Sequence, residues 1–110
     1  VRQKLPLIEV VVNNRVLGMV RQWQTLFYDR HYSATVLDDS VDFVKLAEAM
    51  GAKGLRAATQ EEFASAFAEA LSSDMPVLID CVIASDDKVW PMVAPGDAIS
   101  KAFSEEDLEK

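Results

Sequence analysis

A chain of 110 residues, half of them apolar, is long enough for one domain with a hydrophobic core and too apolar for a disordered segment. Its formal net charge of −7 argues against nucleic acid or an anionic membrane as a partner, because both would repel it. No apolar run reaches a membrane-spanning length and no signal-peptide pattern opens the chain, so we expect a cytoplasmic location. The chain starts at Val1 without a methionine, and we expect it to be an excerpt.

The first predicted element is a β-branched strand over residues 8–12, of the kind that is buried in a parallel sheet. It ends at Asn13 and Asn14, which places both carboxamides at a strand's carboxyl end, where open α/β sheets bind ligands. Two interpretations are open. The pair forms a turn and a helix N-cap, which asparagine favours, or an asparagine oxygen ligates a hard cation such as Mg²⁺ beside diphosphate.

A helix is predicted from Val16 to Tyr28, because four apolar side chains recur at helical spacing: Met19, Trp23, Leu26 and Phe27. Gly18 in its first turn costs roughly 1 kcal/mol in helix propensity, which indicates a close approach of the backbone to another group. The mixed segment over residues 29–41 is interpreted as a loop, in which we expect His31 to be a solvated or capping side chain.

The next predicted helix covers residues 43–50, with Asp42 or Ser40 as its cap and Gly51 as its end. A short strand over residues 54–58 follows. The segment 59–62 then has the spacing of a capping box and opens a third helix.

The last predicted strand covers residues 77–83, and its long apolar run indicates a central position in the sheet. It contains the only cysteine, Cys81, which we expect to be a small buried hydrophobe; a single cysteine also excludes an intrachain disulfide and a zinc site of paired cysteines. The alternation of strands and helices predicts an α/β fold, a three-layer parallel sheet with flanking helices.

Beyond the last strand we predict a proline-punctuated tail over residues 86–110, separate from the domain over residues 1–85. Its apolar anchors, Trp90, Met92 and Val93, should pack on another part of the chain. The charged stretch from Ser104 onward has two interpretations, a capped helical turn or a run of solvated charge, and we expect the solvated run.

Taken together, these segments resemble the carboxyl part of the thiamine-diphosphate-binding domain of acetolactate synthase catalytic subunits. The resemblance lies in Asn13-Asn14, then Leu-Gly-Met-Val at residues 17–20 and Gln22-Trp23. It continues through residues 43–51, 76–80 and 91–93. A partial thiamine-diphosphate-binding fold is what it implies.

The same resemblance implies roles for single residues. Asn14 would ligate Mg²⁺ through its side-chain oxygen and Val16 through its main-chain carbonyl, in line with the oxygen ligands that Mg²⁺ prefers. The implied cofactor-binding residues are Asn14, Leu17, Gly18, Met19 and Val20, and the implied substrate pocket comprises Met19, Trp23 and Phe27. For Trp23 the alternative is a core aromatic, because it shares a helical stripe with Met19 and Phe27.

For the whole protein, the resemblance implies decarboxylation of pyruvate and ligation of the two-carbon unit to a second 2-oxo acid, in branched-chain amino acid biosynthesis. The family's Gly-Asp-Gly motif and its activating glutamate are absent from these 110 residues, so we expect no catalytic residue here and no activity from this stretch alone. Flavin, if the protein carries it, would bind elsewhere. A homodimer or tetramer and a regulatory small subunit are the implied partners.

Two alternatives remain open. One is a sibling thiamine-dependent decarboxylase or carboligase. The other is a free-standing, non-catalytic interaction module of the same fold.

Overall fold

The computed structural model describes residues 1, 3, 5–37 and 41–108. The strands and helices follow the predicted order, with ends that differ by a few residues: β1 Ile8–Asn13, α1 Gly18–Phe27, α2 Phe43–Ala49, β2 Lys53–Ala57, α3 Gln60–Leu71 and β3 Val77–Val82. Two 3₁₀ turns, Ile99–Lys101 and Glu105–Asp107, follow β3. Ser40, one of the two predicted caps of α2, lies outside the described residues.

The three strands form one parallel sheet in the order β1-β3-β2, so β3 is central as predicted. In the register, Val77 of β3 lies between Ile8 of β1 and Lys53 of β2. Parallel pairing requires crossover connections, and the helices between the strands supply them. The carboxyl ends of all three strands therefore lie at one edge of the sheet.

One face of the sheet packs against α3 and forms the main core. Val77 and Ile79 of β3 are buried there together with Ala57 of β2 and with Ala66 and Ala70 of α3. Small alanine side chains on the helix let its backbone approach the sheet closely. Apolar burial of this kind is the main favourable contribution to folding, at about 25 cal/mol per Å².

The opposite face of β2 and β3 packs against α2, which confirms the three-layer α/β arrangement. The contact is closest at Gly54, where an added Cβ would lie 2.6 Å from the carbonyl oxygen of Val44 and 2.9 Å from its Cα. Both atoms belong to the backbone of α2 and cannot rotate away. Glycine at this position is therefore a requirement of the packing between α2 and β2.

The predicted caps of both helices are present, with one difference. The Asp42 carboxylate accepts the N–H groups of Val44 and Lys45 at 3.1 and 3.2 Å and so caps α2. Thr59 Oγ1 accepts the N–H of Glu62 at the start of α3, as a capping box requires. The Glu62 carboxylate, however, accepts the N–H of Ala58 at 2.7 Å rather than that of Thr59, so the reciprocal half of the box is shifted by one residue.

Cys81 is half-buried rather than fully buried, which differs from our expectation. It lies near the carboxyl end of β3 and lines a cavity of about 280 Å³ with residues from the start of α3, among them Thr59 and Phe63. The helix covers the middle of the sheet and leaves this end of the strand less shielded.

Helix α1 packs on the carboxyl-terminal segment and not on the sheet. The described chain measures 49 × 27 × 26 Å and has a radius of gyration of 17.7 Å, whereas a compact domain of about 100 residues has roughly 13 Å. Phe27 of α1 contacts Phe103 at a ring distance of 6.2 Å, and Met92, buried, pairs with Phe103 through an antiparallel bridge. Met92 is buried against Phe103 of the same tail, and Trp90 and Val93 are half-buried, so the ring contact with α1 is made by Phe103 and not by the predicted anchors.

The acidic stretch after Ser104 is more ordered than a solvated charge run. Residues 105–107 form a 3₁₀ turn, and the Asp107 carboxylate accepts both the N–H and the Oγ–H of Ser104, at 2.8 and 2.9 Å. Both interpretations hold in part, because serine and aspartate at this spacing satisfy the first turn while Glu105 and Glu106 remain exposed. Within the described residues, no helix has the length and apolar character needed to cross a membrane.

The first prediction concerns the contact of β2 with α2. We expect Gly54→Ala to lower the free energy of unfolding by about 1–3 kcal/mol, as overpacking does, because the new methyl group meets backbone that cannot yield. Thermal and urea unfolding of the intact protein measure this change in the free energy of unfolding. Ser65→Ala on the exposed side of α3 is the control, expected within about 0.5 kcal/mol of wild type. Equal stability of the two variants would contradict the argument.

Candidate functional site

The two asparagines at the end of β1 each close a local turn. Asn13 Oδ1 accepts the N–H of Arg15, and Asn14 Oδ1 accepts the N–H of Val16, both at 3.2 Å. Arg15 takes a left-handed conformation with φ of 58°. The residue that caps α1 is Leu17, so the interpretation of the pair as a turn is confirmed and its interpretation as a helix N-cap is wrong. The turn at Arg15 separates the asparagines from the helix start.

The Val16 carbonyl is held by its neighbours but has no hydrogen-bond partner among the described residues. Val16 is buried and forms an antiparallel bridge with Val36. The two hydrogen bonds of this bridge use the carbonyl of Arg15 and the N–H of Leu17, at 3.0 and 2.8 Å. A fixed carbonyl without a partner is suited to bind a cation, which is the role predicted for it.

The first turn of α1 is open to an anion. No side chain of residues 1, 3, 5–37 and 41–108 caps it, and the turn itself contains no acidic residue. Its free N–H groups and the helix dipole together favour a negatively charged group such as phosphate. Gly18 lies directly against Asn14, because a Cβ added there would lie 2.6 Å from Asn14 Nδ2. The close approach predicted at Gly18 is therefore the contact of its backbone with the Asn14 carboxamide. This is the group that we expect to ligate the metal.

These groups fit part of a Mg²⁺ and diphosphate site. Asn14 Oδ1 keeps one lone pair beyond its bond to Val16, and the Val16 carbonyl is the second oxygen. Among the described residues, no cluster of three or more histidine, cysteine, aspartate or glutamate side chains could hold a metal ion. This stretch therefore offers neutral oxygens, and a complete octahedron needs further ligands from elsewhere.

The apolar stripe of α1 is largely exposed. Met19 is 51% exposed and Trp23 38%, and Leu17 and Val20 are exposed as well. A core position for Trp23, the alternative left open by the sequence, does not agree with this exposure. The sheet core lies elsewhere, so this face of α1 is available to a ligand or to other parts of the protein.

A cavity of about 450 Å³ lies beside this face. Trp23 and Phe27 line it together, in an edge-to-face arrangement with ring centroids 6.4 Å apart. Met19, the third residue predicted for the substrate pocket, is not among its lining residues. Val20, predicted as a cofactor contact, does line the cavity.

His31 also lines this cavity, which the sequence did not indicate. Its Nδ1 lies 3.0 Å from the carbonyl oxygen of Tyr28 just after α1, so the expected capping role is confirmed. Because a carbonyl only accepts, Nδ1 carries the proton in this contact. A loop residue of this kind reaches a cavity only through the path of its loop, which no local pattern in the sequence reveals.

Gln22 of α1 binds the carboxyl-terminal segment, a role that sequence reasoning missed. The side chain is buried, and its Nε2 and Oε1 pair with the carbonyl and the N–H of Val89, both at 2.9 Å. Arg21 beside it forms an ion pair of 2.6 Å with Asp86 and lies over the Tyr32 ring at 4.2 Å. The hydrogen bond from Arg21 lowers the pKa of Asp86 below its usual value. A polar residue within an apolar helical stripe was the available signal for Gln22.

Asp80 of β3 forms the polar centre of the sheet face that α2 covers. It is 2% exposed, and its carboxylate accepts Asn13 Nδ2 at 2.9 Å and Arg56 Nε at 3.1 Å. Arg56 Nη2 also donates to Asp42 at 2.8 Å. The hydrogen bond with Asp80 raises the pKa of Arg56, and hydrogen bonds, chiefly from the N–H of Lys45, lower the pKa of Asp42. An aspartate inside an apolar strand was the signal that the sequence offered.

Comparison with known proteins identifies relatives of this chain. Residues 1–81 match the sequence profile of the family described as "Thiamine pyrophosphate enzyme, C-terminal TPP binding domain". The chain is 46% identical over 97 residues to an acetolactate synthase of Mycobacterium avium, which covers 84% of this chain and 16% of that protein. It is 42% identical over 109 residues to the acetolactate synthase isozyme 2 large subunit of Escherichia coli K12, covering 99% of this chain and 19% of that protein.

Solved structures agree with this result. The chain superposes on benzoylformate decarboxylase from Polynucleobacter necessarius with a TM-score of 0.69 and 32% identity, covering 80% of this chain and 16% of that one. A thiamine diphosphate-dependent 4-hydroxybenzoylformate decarboxylase of Rhodococcus jostii RHA1 gives a TM-score of 0.67 and 30% identity, with coverage of 78% and 16%. The chain thus spans less than a fifth of the length of these relatives.

The second prediction concerns the attachment of the tail to α1. We expect Gln22→Met to speed amide hydrogen exchange at Val89 by at least about tenfold, since each polar group left without its partner costs about 1–3 kcal/mol. Gln24→Met is a matched control, because Gln24 binds both backbone groups of Ser33 in the same way, at 3.2 Å. Gln24→Met should change amide hydrogen exchange near Ser33 only. An unchanged rate at Val89 in the Gln22 variant would refute the assignment.

Proposed function

This chain belongs to the thiamine pyrophosphate enzyme family, as its C-terminal TPP-binding domain, and from this premise we propose that it is part of an acetolactate synthase. The proposed reaction decarboxylates pyruvate and joins the two-carbon unit to a second 2-oxo acid, in branched-chain amino acid biosynthesis. The observation that carries the proposal is the cluster at the carboxyl end of β1. There Asn14, the Val16 carbonyl and the start of α1 follow one another within residues 14–18.

The proposed roles at the cofactor follow from these groups. Asn14 Oδ1 and the Val16 carbonyl would bind Mg²⁺, and the N–H groups at the start of α1 would bind the diphosphate. The family's further metal-binding aspartate would come from residues outside this chain. Gly18 gives Asn14 the room to lie against the helix. The remaining cofactor contacts would come from the exposed apolar side chains of the first turn, which are Leu17, Met19 and Val20.

Thiamine diphosphate, when bound, supplies the electron sink for decarboxylation and carbon–carbon bond formation. The residues of this chain would position the substrates and exclude water. Trp23 and Phe27 form an apolar wall of the 450 Å³ cavity, suited to the alkyl group of an acceptor 2-oxo acid. Met19 would complete this surface from the helix side. An apolar wall also reduces access of water to reactive intermediates.

Sequence similarity favours ligation over simple decarboxylation. Identity is 42–46% to the two acetolactate synthases and 30–32% to the two decarboxylases whose structures superpose on the chain. A sibling decarboxylase or carboligase is the second candidate, which the structural likeness supports. A free-standing interaction module is the third.

We further propose a cytoplasmic enzyme that is a homodimer or tetramer. Flavin, where present, and a regulatory small subunit would be bound by other parts of the protein.

The test of this function is product analysis on the intact protein. With pyruvate, Mg²⁺ and thiamine diphosphate, we expect acetolactate, and with added 2-oxobutyrate we expect acetohydroxybutyrate. Release of an aldehyde without ligation would favour the decarboxylase. A protein that neither binds thiamine diphosphate nor forms either product would favour the interaction module.

The third prediction tests the cavity wall. We expect Trp23→Leu to lower the preference for 2-oxobutyrate over pyruvate as acceptor by roughly tenfold, because a methylene in an apolar pocket contributes discrimination of that order. The ratio of the two products under competition measures it. Trp90→Leu is the matched control, since Trp90 packs on Phe103 and does not line the cavity. An unchanged ratio in the Trp23 variant would count against its assignment.

The fourth prediction separates cofactor binding from stability. Gly18→Ala places a methyl group against Asn14 Nδ2, and we expect the affinity for Mg²⁺ and thiamine diphosphate to fall about tenfold, as when a metal ligand loses its orientation. The melting temperature should stay level or rise, because alanine favours the helix by up to about 1 kcal/mol.

Fluorescence titration with thiamine diphosphate and thermal unfolding of the cofactor-free protein measure the two effects of Gly18→Ala. Gly96→Ala is the control with the opposite pattern. Gly96 has φ of 86° with no atom of the described residues within 4 Å of an added Cβ, so alanine there should cost stability and leave cofactor affinity unchanged. Full cofactor affinity in the Gly18 variant would contradict the close contact with Asn14.

A further inference from the structure

Asp80 is a buried carboxylate whose two oxygens have different partners. Oδ1 accepts Nδ2 of Asn13 on β1, and Oδ2 accepts Nε of Arg56 on β2, so the central strand is tied to both of its neighbours by side chains. A carboxylate removed from water needs such partners, and a polar group at this position is costly without them. An apolar residue would suit a central strand better for stability alone. Stability alone therefore does not explain an aspartate at position 80.

The bond to Asp80 determines which way the Asn13 carboxamide faces. Because the carboxylate accepts, the NH₂ group of Asn13 must point toward it, and the carbonyl oxygen then points toward the turn. That oxygen accepts the N–H of Arg15 at 3.2 Å. Asn13 thus connects Asp80 to the backbone of the turn that presents Asn14 and the Val16 carbonyl.

The other end of the network is anchored on α2. Arg56 donates to both Asp80 and Asp42, and Asp42 at the same time caps α2. Two further charged groups lie on this side of the sheet: Lys45, which pairs with Asp42 at 4.0 Å, and the exposed Glu9 of β1. Arg56 therefore binds Asp80 through Oδ2, whereas Asn13 is bound through Oδ1, so the two contacts of Asp80 are separate.

We propose that Asp80 is a positioning residue for the cofactor site, which orients Asn13 and thereby keeps residues 13–16 in the conformation that presents two oxygens to Mg²⁺. This inference rests on the proposed function and concerns a residue that touches neither metal nor cofactor. The competing explanation is that Asp80 only stabilises the sheet through its ion pair with Arg56.

Exchanging the two side chains distinguishes the explanations. Asn13→Asp alone places two carboxylates in contact, and Asp80→Asn alone leaves one acceptor for two donors. The double variant, Asn13→Asp with Asp80→Asn, restores both bonds with donor and acceptor exchanged: the amide at position 80 donates to the carboxylate at position 13 and its carbonyl still accepts Arg56. The double variant also has the same net charge as wild type.

The experiment is a Mg²⁺ titration of the intact, metal-free protein at saturating thiamine diphosphate, followed by intrinsic fluorescence, with thermal unfolding of each cofactor-free variant. We expect each single variant to raise the Mg²⁺ concentration at half-saturation by at least about tenfold, the lower end of the range for groups that orient metal ligands. The double variant should recover most of the loss. Asp74→Asn, an exposed position before β3, is the control for loss of one charge and should bind Mg²⁺ as wild type does.

Arg56→Gln separates stability from positioning. It removes the ion pairs to Asp80 and Asp42 and leaves the bond between Asn13 and Asp80, so we expect a lower melting temperature with Mg²⁺ affinity close to that of wild type. The inference is overturned if the single variants bind Mg²⁺ normally, if the double variant shows no recovery, or if Arg56→Gln weakens Mg²⁺ binding as much as Asp80→Asn does. A wild-type protein without Mg²⁺-dependent binding of thiamine diphosphate would instead refute the proposed function itself.

Discussion

Parallel pairing of β3 with both β1 and β2 is the constraint on which the rest of the structure depends. It brings the carboxyl ends of three strands to one edge, and the asparagine turn follows β1 at that edge. The same pairing places Asp80 diagonally across from Asn13 on one face of the sheet, where their side chains meet. The opposite face is free to carry the alanine-rich contact with α3. One pairing pattern thus separates the apolar core from the polar network beside the candidate site.

One face of helix α1 is available to a ligand because the helix packs on the tail and not on the sheet. The two hydrogen bonds of Gln22 to Val89 and the contact of Phe27 with Phe103 hold it from one side. Met19, Val20 and Trp23 remain exposed, which would be unfavourable for a helix with only a structural role. An exposed stripe that begins at a helix start without a described cap is suited to a ligand that has flat rings and an anionic end. Thiamine diphosphate has two heteroaromatic rings, one of them cationic, and an anionic diphosphate.

The candidate site departs from local preferences at three adjacent points. Arg15 has a left-handed backbone, Gly18 occupies the first helical turn, and no side chain that the structure describes caps α1. Helices α2 and α3, away from the site, have well-formed caps at Asp42 and Thr59. Local departures of this kind are expected at functional positions, where binding rather than stability selects the residue. Their concentration within residues 15–18 supports the same conclusion as the family relationship.

The order of strands and helices, the parallel sheet and the central position of β3 could all be predicted from the sequence, because hydrophobic periodicity and capping residues are local signals. The asparagine pair and Gly18 also indicated the site, and the resemblance carried by residues 13–23 identified the family. The network of Asn13, Asp80 and Arg56 could not be predicted, since it joins residues 24 to 67 positions apart that meet only through strand pairing.

The packing of α1 was likewise decided by the tertiary structure. The apolar stripe of α1 is equally suited to a core or to a pocket. Only the path of the tail determines which of its side chains are covered. The sequence by itself determined which segments form strands and helices, because that choice depends on neighbours along the chain. The tertiary structure decided which polar groups face one another and which apolar ones stay exposed, because burial and hydrogen bonding depend on neighbours in space.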